Sequence, residues 1–305
     1  MKQLQLFLFN FRSNISTLTV SLEQALQQAL NNPELTVETL RFEHTQDFLK
    51  CRLTVTSTKQ LRTAIAQMAQ DLAFDYCLLT DQQAQLEPKL VVFDMDSTLI
   101  PIEVIDQLGE QAQVKAQISS VTEAAMRGEL DFNQSLIQRV ALLKGLPLTA
   151  IEQVKLQLNF NPGVERFCHS ILAAEGDVCI ASGGFTPFAK HLARQIPFAE
   201  IHANNLLDDN EVLTGEVTLP IVNAQVKAES LRRWRDKRHL GKMQTVAIGD
   251  GANDLLMLQE AGLGIAYKAK PAVNEQADCV IRYGEMDSLI DLFAAIKNHS
   301  LQNRN

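Results

Sequence analysis

The sequence predicts an α/β protein in which a Rossmann-like parallel sheet carries a helical cap, with a small α+β ferredoxin-like domain in front of it. Three observations predict this. From Leu90 onward, near-continuous apolar runs ("LVVF", "DVCIAS", "TVAIGD", "LGIAY", "CVIRY") each end in a turn signal and are mostly followed by a helical stretch, the pattern of parallel strands buried on both faces. The first 85 or so residues read instead as strand, helix, strand, strand, helix, strand, the layout of a split βαβ sandwich. Between the first two apolar runs, from about Ile102 to Phe160, only helical periodicity appears.

Taken in order, "LQLFLFNF" alternates with period two, "LEQALQQALNN" has a helical stripe with a polar stop, and "LTVETLRFE" is extended. "LKCRLTVT" follows as a strand, "TKQLRTAIAQMAQDLA" as a helix opening at Thr58, and "DYCLLT" as the last strand of the unit. The layout resembles an ACT-like domain, which implies small-molecule sensing; no ligand motif stands in these residues, so sensing, dimerisation and a purely structural role stay open. A polar connector from Asp81 to Lys89, with Pro88 discouraging a helix, leads out of it. The expected domains are therefore 1–85 and 86–305, with the cap at about 102–160. An insertion after the first strand of such a sheet lies over the strands' carboxyl ends, where open α/β sheets bind ligands. A second excursion, Asn204 to Thr218, has the turn chemistry of a β-hairpin.

Composition excludes several function classes. The chain has 305 residues, 46% of them hydrophobic, and a net charge of -8, which disfavours nucleic acid and anionic membrane as bulk electrostatic partners. The one basic run, "LRRWRDKRH", reads as a solvated helix face. Five cysteines without a CxxC pair read as buried thiols, and Trp234 and the six histidines show no metal spacing. No cleavable leader or membrane span is expected, so a cytoplasmic enzyme or regulator is the default reading.

The chemistry is concentrated at strand ends. "FDMDST" sets Asp94 and Asp96 one residue apart behind an apolar run. Two such carboxylates are uncomfortable in an apolar site without a cation, and hard oxygen ligands suit Mg²⁺. "IASGG" ends the next run with Ser182 and the Gly183 and Gly184 amides, groups that can approach an anion closely. Lys227 opens a helix after the hairpin, and "GDGAND" brings Asp250, Asn253 and Asp254 behind a third run. A hydroxyl, glycine amides and a lysine suit phosphate, and paired acidic strand ends suit magnesium.

These motifs, in this order, resemble those of the haloacid dehalogenase (HAD) superfamily over about residues 88 to 300. More narrowly, with Glu103 and "EAAMRGELDFNQSLIQRV" in the cap, they are similar to its phosphoserine phosphatase family. The resemblance implies Mg²⁺-dependent hydrolysis of O-phospho-L-serine through an aspartyl-phosphate, the last step of serine biosynthesis. It implies Asp94 as nucleophile and Asp96 as general acid and base. It gives Ser182, Gly183, Lys227 and Asn253 to the phosphate, and Asp94, Asp250 and the Asp96 carbonyl to the metal, supported by Asp254. Glu103 would meet the substrate ammonium and Arg139 its carboxylate. Met126 and Phe132 lie in the cap as either helix core or a cover over the substrate. The expected partner is this small molecule alone, with a homodimer through the N-terminal domain left open. The competing readings are a related phosphotransferase, a phosphatase for another small phosphorylated amine, and a non-enzymatic serine sensor.

Overall fold

The computed structural model describes residues 2–11, 24, 37–44, 48–55 and 57–302, the side chains of 37–44 and 299–302 excepted. The expected helix "LEQALQQALNN" lies outside the described residues except for Gln24. The chain forms two compact units, one made of Met1–Pro88 with Gly241–Asn305 and the other of Lys89–Leu240.

In the first unit, β1 (Lys2–Phe9), β2 (Val37–His44), β3 (Leu49–Val55) and β4 (Asp75–Thr80) precede β10 (Thr245–Gly249), β11 (Leu263–Tyr267) and β12 (Cys279–Ile281) in sequence. Their order in space is β2-β3-β1-β4-β12-β11-β10. β10, β11 and β12 are parallel, as their unbroken apolar runs predict. β1 pairs antiparallel with β3 and β4, and β4 pairs antiparallel with β12, Cys279 facing Cys77. The helix α1 (Thr58–Leu72) starts where the Ser57 side chain accepts from the Gln60 amide and stops at Ala73, in the left-handed region at φ 55°. It buries Leu61, Ile65, Met68 and Ala69, one face at helical spacing.

Polar contacts tie the early and late strands of this unit together. The buried Asp75 carboxylate accepts from the amides of Arg282, Tyr283 and Gly284 at 2.8–3.0 Å and from Asn10 Nδ2 at 2.8 Å. Arg62 donates to the Ala277 carbonyl and pairs with Asp278 at 2.6 Å.

In the second unit, β5 (Leu90–Phe93), β6 (Asp177–Phe185) and β7 (Glu200–Asn204) are parallel neighbours. Between β5 and β6 come α2 (Val104–Gln111), α3 (Lys115–Met126), α4 (Phe132–Ala141) and α5 (Leu148–Lys155), followed by α6 (Val164–Ala173). The first four are the expected helical insertion. Its base is closed where Asn161 donates from Nδ2 to the Thr98 carbonyl at 2.9 Å and from its amide to Leu99 at 2.7 Å. After β6 and α7 (Thr186–Leu192), the hairpin of β8 (Leu206–Asp209) and β9 (Val212–Val217) docks on the insertion through main-chain bonds from Gly145 to Leu213, Leu213 to Leu146 and Leu148 to Glu211. The two excursions read separately from the sequence are thus one body.

The helix α8 (Ala224–Lys237) carries the basic run, of which Lys237 pairs with Glu200, Arg238 with Asp177 and Arg235 with Asp236. Trp234 is buried, and all five cysteines are buried free thiols. Among the described residues no helix is long and apolar enough to cross a membrane. The remaining helices, α9 (Leu255–Glu260), α10 (Pro271–Asn274) and α11 (Ser288–Gln302), belong to the first unit.

Candidate active site

The second unit gathers most of the residues singled out above. Asp94 directly follows β5, whose four residues are all buried, so the strand delivers the carboxylate to the sheet's carboxyl edge in an apolar setting. Its Oδ1 accepts from the Met95 amide at 2.7 Å, and its Oδ2 lies 2.9 Å from Lys227 Nζ. The two side chains are 6% and 0% exposed. An ammonium so deeply buried is sustained only by a close anion.

Lys227 is held at the start of α8, where Asn223 caps the helix by accepting from the Val226 amide, and Asn223 Nδ2 donates to Asn133 of α4 at 3.2 Å. Lys227 itself sits one turn into the helix.

Asp96, also buried, accepts from the Val104 amide at the start of α2 at 3.3 Å. Its carboxyl is held well above the usual carboxylate range, first by burial and then by the charges of Glu103 and Asp94. A carboxyl that keeps its proton above its ordinary range is suited to donate it. Gly184 makes room for it, since a Cβ there would stand 2.5 Å from Asp96 Oδ2 and 3.2 Å from Ser182 Oγ. Ser182 is fully buried, and its Oγ accepts from the Gly184 amide at 2.9 Å.

The cap meets this edge at two places. A Cβ on Gly183 would come within 2.7 Å of Phe132 Cζ, so the half-buried Phe132 ring rests on the glycine turn. Phe132 opens α4, whose start is fixed by a reciprocal cap: Asp131 accepts from the Gln134 amide while Gln134 accepts from the Asp131 amide. Arg139 stands two turns further on, half-buried, with Nε donating to the Ser135 carbonyl at 3.3 Å. Burial lowers its pKa, against the opposing pull of Glu103, Asp106 and Asp96, so three carboxylates share its surroundings. Exposed Glu103 accepts from Ser97 Oγ at 2.8 Å, with Ser97 in the left-handed region at φ 58°. Met126 is 72% exposed at the end of α3, which excludes a place in the helix core.

In the first unit, Asp250, Asn253 and Asp254 follow β10. Asp254 is buried and its Oδ2 accepts from the amides of Asp250 and Gly251 at 3.1 and 2.9 Å. Gly249 is obligatory beside it, because a Cβ there would collide with the Asp254 carboxyl. Asp250 and Asp254 offer carboxylate oxygens at this strand end, and an all-oxygen donor set suits a hard divalent cation.

Sequence reasoning missed Asn204, Asn161 and Ser97. Each is a small polar residue at a strand end or turn, where such residues are common for local reasons alone, and no pattern in the sequence sets these three apart.

Known proteins share both the sequence and the fold. The haloacid dehalogenase-like hydrolase family matches residues 91–259. A probable phosphoserine phosphatase of Schizosaccharomyces pombe is 41% identical over 232 residues, covering 74% of this chain and 78% of its own. Among solved structures, a probable phosphoserine phosphatase from Vibrio cholerae superposes with a TM-score of 0.73 at 30% identity, covering 98% of this chain and 88% of its own. A substrate-bound phosphoserine phosphatase superposes with a TM-score of 0.64 at 33% identity over 68% of this chain and 98% of its own. The chain is an enzyme of the haloacid dehalogenase-like hydrolase family, on its phosphoserine phosphatase branch.

Proposed function

We propose that the protein hydrolyses O-phospho-L-serine to L-serine and inorganic phosphate, the last step of serine biosynthesis, in the cytoplasm. The observation that carries this reading is the buried Asp94–Lys227 pair at 2.9 Å, with the buried Asp96 carboxyl, its pKa raised first by burial, two residues on and the Ser182 turn beside it.

Asp94 is the nucleophile, and its carboxylate is already oriented by Met95 and Lys227. Lys227 transfers part of its charge compensation to the phosphoryl oxygens, so that a carboxylate can approach a dianion. Ser182 Oγ and the Gly183 amide donate to the same oxygens, and Asn253 supports them. As Asp94 forms its bond to phosphorus, the serine oxygen leaves and Asp96 gives it a proton. Asp96 then takes a proton from the water that attacks the aspartyl-phosphate, which restores both carboxyl groups. Asp94, Asp250 and the Asp96 carbonyl, supported by Asp254, would hold Mg²⁺, which would supply further neutralisation of the phosphoryl charge.

Substrate choice is assigned to the cap. Glu103 meets the ammonium of phosphoserine, and the planar guanidinium of Arg139 takes its carboxylate with two donors. Phe132, resting on the Gly183 turn, covers the substrate and excludes water. Residues 1–85 are assigned to an ACT-like domain serving dimerisation or ligand sensing. Phosphate release from a panel of esters tests the substrate assignment: phosphoserine should be preferred over phosphate esters lacking the amine or the carboxylate, and equal rates across the panel would remove the assignment.

A further inference from the structure

We infer that Asn204, to which none of the motifs assigns a role, is a positioning residue that sets the phosphate-binding turn and links it to the helix of Lys227. The inference rests on the phosphatase reading above. In the β6–β7 pairing, Ala181 faces His202 and Phe185 faces Asn204, with the register shifting between them. Ser182, Gly183 and Gly184 therefore stand across from the single residue Ala203, and the regular ladder is interrupted at the turn that meets the substrate. The Asn204 side chain makes up the missing bond. Its Nδ2 donates to the Gly183 carbonyl at 2.8 Å, and its Oδ1 accepts from the Val222 amide at 2.9 Å. The side chain is 2% exposed, so neither bond competes with water.

The peptide joining Gly183 to Gly184 is consequently held at both ends, its oxygen by Asn204 and its N–H by Ser182 Oγ. This has two effects on donors aimed at a phosphoryl group. The Ser182 oxygen already accepts a hydrogen bond, so its own proton is offered as a donor. The turn also cannot rotate its amides away, although its two glycines would otherwise permit it. At its other end the same amide fixes Val222, the residue before Asn223, which caps the helix bearing Lys227. One side chain thus sets the spacing between the hydroxyl and amide donors and the ammonium. Only an amide of this length suits both neighbours, because a carboxylate would turn an oxygen toward the Gly183 carbonyl.

The test is Asn204→Asp, assayed by calorimetric binding of inorganic phosphate in the presence of Mg²⁺ at about pH 8 and about pH 5.5, alongside phosphoserine turnover and thermal unfolding. At the higher pH the introduced carboxylate lacks the donor, and phosphate should bind about tenfold more weakly than to wild type, the scale of one lost hydrogen bond at a buried site. At the lower pH the carboxyl, kept protonated by burial, donates to Gly183 and accepts from Val222 as the amide does, so the ratio of the two affinities should return toward one. Affinities within twofold of each other at both pH values would overturn the inference. So would a pH-independent loss that merely tracks a lowered unfolding temperature, which is what a purely structural role gives. If Asn204→Asp is unfolded at pH 8, Asn204→Ser takes its place and must bind phosphate several-fold more weakly while unfolding cooperatively; unchanged binding overturns the inference equally. Wild-type phosphate binding without phosphoserine turnover would instead count against the proposed substrate and leave the positioning role standing.

Discussion

Lys227→Met is the most informative single change, because the structure fixes what it leaves behind. Lys227 Nζ lies 2.9 Å from Asp94 Oδ2, with side chains 0% and 6% exposed, so solvent does little to screen the pair or to rescue a surviving partner. Removing one member of a buried ion pair costs about 3–5 kcal/mol, most of it from the uncompensated charge that remains. In a unit running from Lys89 to Leu240, each kcal/mol moves the midpoint by about 2–4 °C, so a fall of roughly 6–20 °C is expected. The double variant Lys227→Met/Asp94→Asn removes both charges and should recover a good part of that loss, giving a coupling of at least about 1.5 kcal/mol. Unfolding should be followed in chelator, so that no added cation stands in for the missing ammonium. Turnover of Lys227→Met should fall about 10²–10³-fold, as for the loss of one donor to a developing charge. A Lys227→Met protein less than 1 kcal/mol below wild type, or a double variant as unstable as the sum of the singles, would refute the argument that this pair is desolvated and mutually dependent.

Other outcomes follow from the same geometry. Arg139→Lys keeps the charge and loses the two-donor fork, so kcat/KM for phosphoserine should drop roughly tenfold or more; a phosphate ester without a carboxylate should be much less affected, and equal losses would assign Arg139 to cap folding. Gly184→Ala places a methyl 2.5 Å from Asp96 Oδ2 and should lower turnover while far-ultraviolet circular dichroism stays native; wild-type turnover would show that Asp96 has room to give. Burial raises the pKa of Asp75, so the folded state favours its protonated form; that contribution is complete below about pH 4 and is lost as pH rises through the raised value. Denaturant midpoints of wild type should therefore decline relative to Asp75→Asn as pH rises above about 4, and parallel curves would contradict it. Removing residues 1–85 takes away β4 and the Asp75 carboxylate, leaving β12 unpaired on one side and the 282–284 amides without their acceptor. Since no proposed catalytic residue is lost, the truncated chain should lose solubility and thermal stability before it loses the ability to turn over phosphoserine in the folded fraction.

How much of this was readable in advance depended on range. Asp94, Ser182 and Asp250 could be found because each ends a local apolar run, the mark of a buried parallel strand. The cap helices were legible from their periodicity. The β4–β12 pairing was not legible, because it joins residues some two hundred positions apart and neither strand carries a mark of its neighbour. Nor was Asn204: an asparagine at a strand end satisfies local turn preferences equally well, and only the three-dimensional register shift reveals that its amide replaces a ladder bond. Met126 shows the same limit, since cap membership was clear from sequence while exposure depends on which face the neighbouring helices cover.

The central claim, metal-dependent hydrolysis of phosphoserine through Asp94, is tested most directly by phosphate release from O-phospho-L-serine. Wild type should be measured with Mg²⁺, after exhaustive chelation and after Mg²⁺ is restored, with folded Asp94→Asn in parallel. The account predicts release that chelation abolishes and Mg²⁺ restores, and an Asp94→Asn rate lower by orders of magnitude. Full activity after chelation, or near-normal turnover by Asp94→Asn, would contradict it.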